Sequence, residues 1–341
     1  MTHEDPGENM VRLKDIAEAC GVSVATVSRA LNGLTNENKE RTAFICQTAR
    51  DMGYYPNAAA RTLKTSRSNN IGILYENQMN HEYFSSLLDA LRTIADGRGY
   101  DMTLIGRNET NSSETYYDHA RRRNLDGMII IQADFESAEV VRLANSDLPV
   151  VVIDHSYDGC DCVSSDNRSS LQRIVCHVYN QGHRKIAYVT GQDSAVMRER
   201  LAGFYKICAE LGIRVPEGFV REGQFHDPER CAAIVRELLS GEEKPTCILC
   251  PDDYSCLGAL WDLKAKGVRV PEEVSLVGYD GVRMSRMIRP MLTTYRQDTE
   301  VIAREAIGLL IEAIESPETH KPRQITVEGM LAEGETLSSR K

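Results

Sequence analysis

Residues 13–33 read LKDIAEACGVSVATVSRALNG, two short helical patterns separated by a glycine. Ile16, Ala17 and Cys20 recur at the spacing that lines one face of a short helix, and Gly21 breaks it. Ser23 is placed to cap a second helix, along which Val24, Val27 and Leu31 recur before the run stops near Gly33. Two short helices joined by such a turn, with small Ala17 four residues ahead of the glycine, make a helix-turn-helix, whose second helix lies in the major groove of DNA. A third helix over Asn38 to Met52 presents Ile45, Ala49 and Met52 to close the small core, and Gly53 and Pro56 terminate it.

A chain of 341 residues suffices for this head plus one bilobed domain of roughly 270 residues. The net charge of −10 argues against nucleic acid only until it is divided along the chain. Residues 11–67 carry nine Lys and Arg against five Asp and Glu, a balance of +4, which leaves the remainder at −14. A basic head on an acidic body confines a DNA contact to one end. No run of about 18 apolar residues is present to span a bilayer, and Met1 to Met10 lacks a basic segment followed by an apolar one, so a cytoplasmic location is expected. The ten cysteines sit largely in apolar runs such as Cys247-Ile248-Leu249-Cys250, as reduced thiols do. Neither this spacing nor the Cys160, Cys162 pair has the second ligand pair that zinc requires, and no metal or cofactor is expected.

The opening LKDIAxxxGVSxxTVSRxLN, followed by Gly53-Tyr54-Tyr55-Pro56-Asn57 and then Ala60 and Leu63, resembles the LacI/GalR family of repressors over the entire head. The resemblance implies a helix-turn-helix domain over 11–55 and a hinge helix with linker over 56–68. It puts Val24 and Ala25 against thymine methyl groups, Arg29 on a guanine, and Ser23, Thr26, Ser28, Asn32 and Lys14 near phosphates. Asn57, Ala60 and Leu63 fall on the hinge helix, where the family places a leucine that wedges into the minor groove. Two hinges must meet there, which implies a homodimer on double-stranded, approximately palindromic operator DNA.

Beyond the linker, apolar runs alternate with amphipathic stretches, the pattern of βα units around parallel sheets. The clearest strands are 71–75, 102–105, 127–131, 150–153, 186–190, 247–250 and 274–277. Ligands bind such sheets at the strands' carboxyl ends, and Asp154, Asp252, Asp253 and Asp280 each follow a strand. Several carboxylates at separate strand ends suit a hydroxyl-rich ligand, whereas any one alone would more often cap a helix.

The segments RLAGF (200–204), PDDYSCLGAL (251–260), VPEEVSLVGYDG (270–281) and RPMLTTYRQD (289–298) extend the resemblance over nearly the whole chain. It implies an α/β fold: an all-α helix-turn-helix head, then a two-lobed, doubly wound parallel-sheet domain of the type I periplasmic-binding-protein kind over 69–341. One lobe would comprise about 69–167 and 297–325, the other about 168–296 and 326–341. Asp154, Arg200, Asp252 and Asp280 would line the effector pocket, with Tyr83, Phe84 and Phe225 as stacking surfaces and His155 as a hydrogen-bonding neighbour. The chain departs from the family at Asp252, where Asn is common, at Gly281, where a side chain is usual, and at Gly334, where Arg is typical. Trp261 and Leu257, one helical turn apart, suit either a dimer face or the core.

The expected function is therefore a regulator whose operator affinity is set by a small molecule, expected to be a sugar or sugar derivative. A solute-binding protein would need export and no head. An enzyme would need a motif such as GxSxG, a P-loop or HExxH, none of which occurs.

Overall fold

The computed structural model describes residues 11–31, 39–54, 67–76, 81–106 and 114–340. Asn32, and Asn57, Ala60 and Leu63 of the expected hinge helix, lie outside the described residues. By internal contacts the chain divides into one unit ending at Ser68 and another starting at Asn69.

In the smaller unit, α1 (Leu13–Cys20), α2 (Val24–Leu31) and α3 (Lys39–Asp51) enclose Ile16, Ala17, Val27, Ala30, Ile45 and Ala49. Each helix gives one branched residue, and burying each contributes about 1.5–3 kcal/mol. Alanines beside them let the helices approach closely. Gly21 takes the left-handed conformation (φ 64°) that ends α1, and the Val22 N–H bonds back to the Ala17 carbonyl at 2.9 Å. Ser23 Oγ accepts from the Thr26 N–H at 3.2 Å and so caps α2.

The larger unit contains two six-stranded sheets. The first joins β1 (Asn70–Leu74), β2 (Asp101–Ile105), β3 (Gly127–Ile130), β4 (Val150–Ile153), β5 (Asp161–Ser165) and β11 (Gln324–Val327), all parallel, in the order β11-β5-β4-β3-β1-β2. The second joins β6 (Ile186–Thr190), β7 (Val220–Glu222), β8 (Cys247–Leu249), β9 (Ser275–Asp280), β10 (Thr293–Arg296) and β12 (Met330–Ala332) in the order β12-β10-β9-β8-β6-β7. Only β12 runs antiparallel to its neighbour.

Helices cover both faces of each sheet, so central strands such as Val150-Val151-Val152-Ile153 are apolar throughout and fully buried. On the first sheet, α4 (Glu82–Gly97) and α12 (Thr299–Glu315) pack on one side, α5 (Tyr116–Arg122) and α6 (Ala138–Ala144) on the other. On the second, α7 (Asn167–Asn180) and α8 (Ala195–Glu210) face α9 (Pro228–Ser240) and α10 (Asp253–Ala265) across the strands. The chain changes lobe three times: after β5, after β10, and between Val327 and Met330.

Leu257 of α10 is 1% exposed and belongs to its own lobe's interior, which removes it from any dimer face, whereas Trp261 on the same helix is 51% exposed. Gly334 has a packing reason: a Cβ there would lie 2.4 Å from the Met291 carbonyl oxygen. No described helix is long and apolar enough to cross a membrane.

Candidate functional site

Among the described residues six non-glycine positions have positive φ, and four of them stand at the carboxyl ends of the two sheets: Gln132 (48°) after β3, Asp154 (62°) after β4, His226 (56°) after β7 and Asp280 (104°) closing β9. Such backbone costs of order 1–3 kcal/mol per residue and gathers where side-chain placement serves function. Here it aims side chains into the cleft between the lobes.

Polar and ring contacts cross that cleft beside the chain crossovers. Ser165 Oγ donates to Gln297 Oε1, and Gln297 Nε2 donates to Asp280 Oδ1 at 2.7 Å, which links the end of β5 to the end of β9. Farther along, the rings of His81 and His226 stack at 3.8 Å with 13° between their planes. His81 caps α4 by accepting the Phe84 N–H on Nδ1 at 3.3 Å, so its other nitrogen carries the proton that faces Gln132 Oε1 at 3.2 Å. Burial and the neighbouring His226 pull His81 down to about 4, which keeps it neutral. Burial also acts against charge on His226, but Asp252 outweighs it and the pKa rises. The His226 Nδ1 is 3.7 Å from Asp252 Oδ1, an ion-pair distance and not a hydrogen bond.

Arg200 is 4% exposed and lies flat on Tyr279, its guanidinium carbon 3.5 Å from the ring centroid. Nε donates to Asn167 Oδ1 at 2.9 Å and Nη1 to the Pro251 carbonyl at 3.2 Å, so only part of the fork is left for a ligand. Around it, Asp154 accepts the Ser165 N–H at 3.2 Å; burial raises its pKa against the opposing pulls of that bond and of Arg200. Burial, with Asp252 nearby, pushes Asp280 up to about 7. The Tyr83 hydroxyl is buried with no hydrogen-bond partner among the described residues, and burial plus the charges of Asp154 and Asp280 raise its pKa well above the phenol range. An unpartnered buried hydroxyl costs about 1–3 kcal/mol, which a bound hydrogen-bonding ligand would recover.

The remaining sequence candidates fall in different surroundings. Asp252 caps α10: it accepts the Ser255 N–H at 2.8 Å, the Ser255 hydroxyl at 2.9 Å and the His226 N–H at 2.9 Å, and so braces the loop that carries Phe225. Asp253 is 0% exposed and holds Thr294 Oγ1 at 2.6 Å and the Val282 N–H at 2.9 Å; burial raises its pKa strongly. Phe84 is 1% exposed within the first lobe's core, with its ring tilted against His81, so it backs the cleft without lining an open surface. Phe225 covers Gly191 and lies 5.6 Å from the Arg200 guanidinium. His155 stacks on Phe135 at 4.5 Å and, with Asp154, lines an adjoining cavity of about 400 Å³. The cleft residues Gln132, Asn167, His81, His226, Gln297 and Tyr279 were not singled out in the sequence.

On the head, Val24, Ala25, Arg29 and Lys14 are exposed, while Thr26 and Ser28 are half-buried. Exposure of an apolar Val24 (44%) at the start of α2 is what thymine-methyl contact needs. The Ser23 and Thr26 hydroxyls bond each other at 2.8 Å, so phosphate contact would have to compete with the cap.

Residues 12–57 match the model of bacterial regulatory proteins, lacI family, and residues 175–337 match a periplasmic binding protein-like domain. The HTH-type transcriptional repressor PurR of Aliivibrio salmonicida (strain LFI1238) is 27% identical over 321 residues, covering 93% of this chain and 95% of its own. Among solved structures, a transcriptional regulator CelR-cellobiose complex aligns over 96% of this chain and 99% of its own with a TM-score of 0.68 at 25% identity. The lac repressor dimer bound to operator and the anti-inducer ONPF aligns over the same shares with a TM-score of 0.79 at 24% identity.

Proposed function

We propose that this chain, which belongs to the lacI family of bacterial regulatory proteins, represses transcription as a homodimer on a near-palindromic operator and is controlled by a polyhydroxylated effector in the interlobe cleft. One observation carries the effector class. The buried, unpartnered Tyr83 hydroxyl faces a region where Asp154 and Asp280 both have raised pKa values. Groups in that state gain from a ligand that donates hydrogen bonds, as sugar hydroxyls do, and they disfavour an anionic one. The relative solved with cellobiose agrees with this choice.

A planar nucleobase is the second reading, favoured by the aromatic walls that Tyr83, Phe225 and the His81–His226 stack provide. In both, the effector acts by its different affinity for the two lobe arrangements, since equal affinity would shift nothing. Val24, Ala25 and Arg29 would read bases, and Leu63 would enter the minor groove at the operator centre. A thermal-shift screen of neutral sugars, sugar acids and nucleobases tests the class: a saturable rise with a neutral sugar supports it, and a response confined to sugar acids or nucleobases overturns it.

A further inference from the structure

Away from the effector cleft, a cavity of about 880 Å³ opens between α4 and α12 of the first lobe and α11 (Arg283–Met287), the end of β10 and β12 of the second. Arg283, Arg286, Arg296 and Arg304 line it, and all four are exposed. None of their guanidinium groups forms an ion pair among the described residues, whereas Arg92, Arg168, Arg221 and Arg236 of the same unit each hold a carboxylate. Two carboxylates share the lining, Asp89 and Glu300, and Asp89 is already bonded to Arg92 at 2.8 Å. An unneutralised cationic cluster on a body of net charge −11 (residues 68–341) is an electrostatic cost that an anion would relieve.

The cluster is also held in shape. Arg286 Nη1 donates to the Glu333 carbonyl at 2.7 Å, and Arg296 Nη2 approaches the Met330 sulfur at 3.1 Å. The N-terminus of α11 is fixed from the opposite lobe, where Glu82 accepts the Arg283 N–H at 2.6 Å and the Met284 N–H at 3.2 Å. Gly281, which lacks the side chain expected there, keeps the wall open: a Cβ would stand 2.4 Å from Arg296.

We propose that this cleft is a second ligand site, for a small multivalent oxyanion bearing phosphoryl groups, held by Arg304 of the first lobe and Arg283, Arg286 and Arg296 of the second. The volume falls within the roughly 300–1,000 Å³ of small-molecule sites, and guanidinium forks match phosphoryl oxygens. Because the arginines come from both lobes, the anion favours one lobe arrangement and gives the protein an input chemically distinct from a neutral effector.

Isothermal titration of inorganic pyrophosphate into the full-length protein, at ionic strength held constant with NaCl, tests the site. Saturable binding is expected, at least tenfold weaker in Arg283→Ala/Arg304→Ala and in the milder Arg296→Gln, and unchanged in Arg221→Ala, which removes elsewhere the same single charge as Arg296→Gln. Inorganic phosphate, with fewer oxygens to share among four arginines, should bind at least tenfold more weakly than pyrophosphate. Absence of saturable binding overturns the proposal. So does equal affinity in the cleft variants, or a loss confined to Arg29→Ala, which would put the anion on the DNA-binding head.

Discussion

Asp280→Asn isolates the electrostatic cost built into the effector cleft. Burial raises the Asp280 carboxyl to about 7, against about 3.9 in an unfolded chain. A folded-state value above the unfolded one means that the native protein holds the proton more tightly. The stability due to the neutral acid is therefore complete below about pH 4, declines as pH rises, and is lost once pH passes about 7. Three pH units at about 1.4 kcal/mol each set a ceiling of about 4 kcal/mol on that loss. Because the side chain is only half-buried, about 1–3 kcal/mol is the expected size. Asparagine keeps the shape and an oxygen that can accept from Gln297 Nε2, now at 2.7 Å, but does not titrate. In urea unfolding followed by circular dichroism from pH 4.5 to 8.5, the variant should gain on the parent as pH rises, with the gap flattening above about 7. Groups common to both proteins cancel in that difference. Parallel curves, or a gap that narrows with rising pH, refute a carboxylate forced towards neutrality by the cleft.

The same carboxylate gives a pH dependence of binding: a hydroxyl-donating effector stabilises the ionised form, so affinity measured by titration calorimetry should increase between pH 6 and 8, and a flat profile would remove Asp280 from the contact. Asp253→Asn should be tolerated, since burial already favours its neutral form, while Asp253→Ala strands the Thr294 hydroxyl and the Val282 N–H and should cost about 1–3 kcal/mol by denaturant melt; equal losses would contradict the hydrogen-bond assignment. Arg29→Ala should lower operator affinity by about 1–3 kcal/mol and relax base preference at one position of each half-site in a binding-site selection, whereas a uniform loss across sequences would make Arg29 a phosphate contact. Leu63→Ala should weaken operator binding in a gel shift and leave effector binding intact, and unchanged operator affinity would sink the wedge.

Much of this was legible because periodicity and burial coincide. Ile16, Val27 and Ile45 announce their helices by spacing, and the apolar runs at 150–153 and 186–190 are strands because both sheet faces are covered. What the sequence obscured was short or polar. β5 reads DCVSS and β7 only VRE, and neither shows an apolar run, although β5 lies inside its sheet between β4 and β11. Asp252 and Asp253 are adjacent strand-end acids, yet the fold uses one as a helix cap and the other as a buried brace. Only the folded chain separates those roles from that of Asp280. The cross-cleft partners His81 and His226 are 145 positions apart, so no local pattern connects them. Gly281, beside the expected pocket, and Gly334, near the C-terminus, read as departures from the family, and both are explained by close approach of neighbouring chain.

The proposed function requires that a ligand in the body alter how tightly the head holds DNA. Its most direct test is fluorescence anisotropy on a selected palindromic operator, with and without the sugar that raises the melting temperature, at fixed salt. A change in operator Kd of about 5- to 150-fold is expected, the usual range of coupling between sites, and it should disappear in Asp280→Ala. An operator Kd that stays the same at saturating sugar would contradict it.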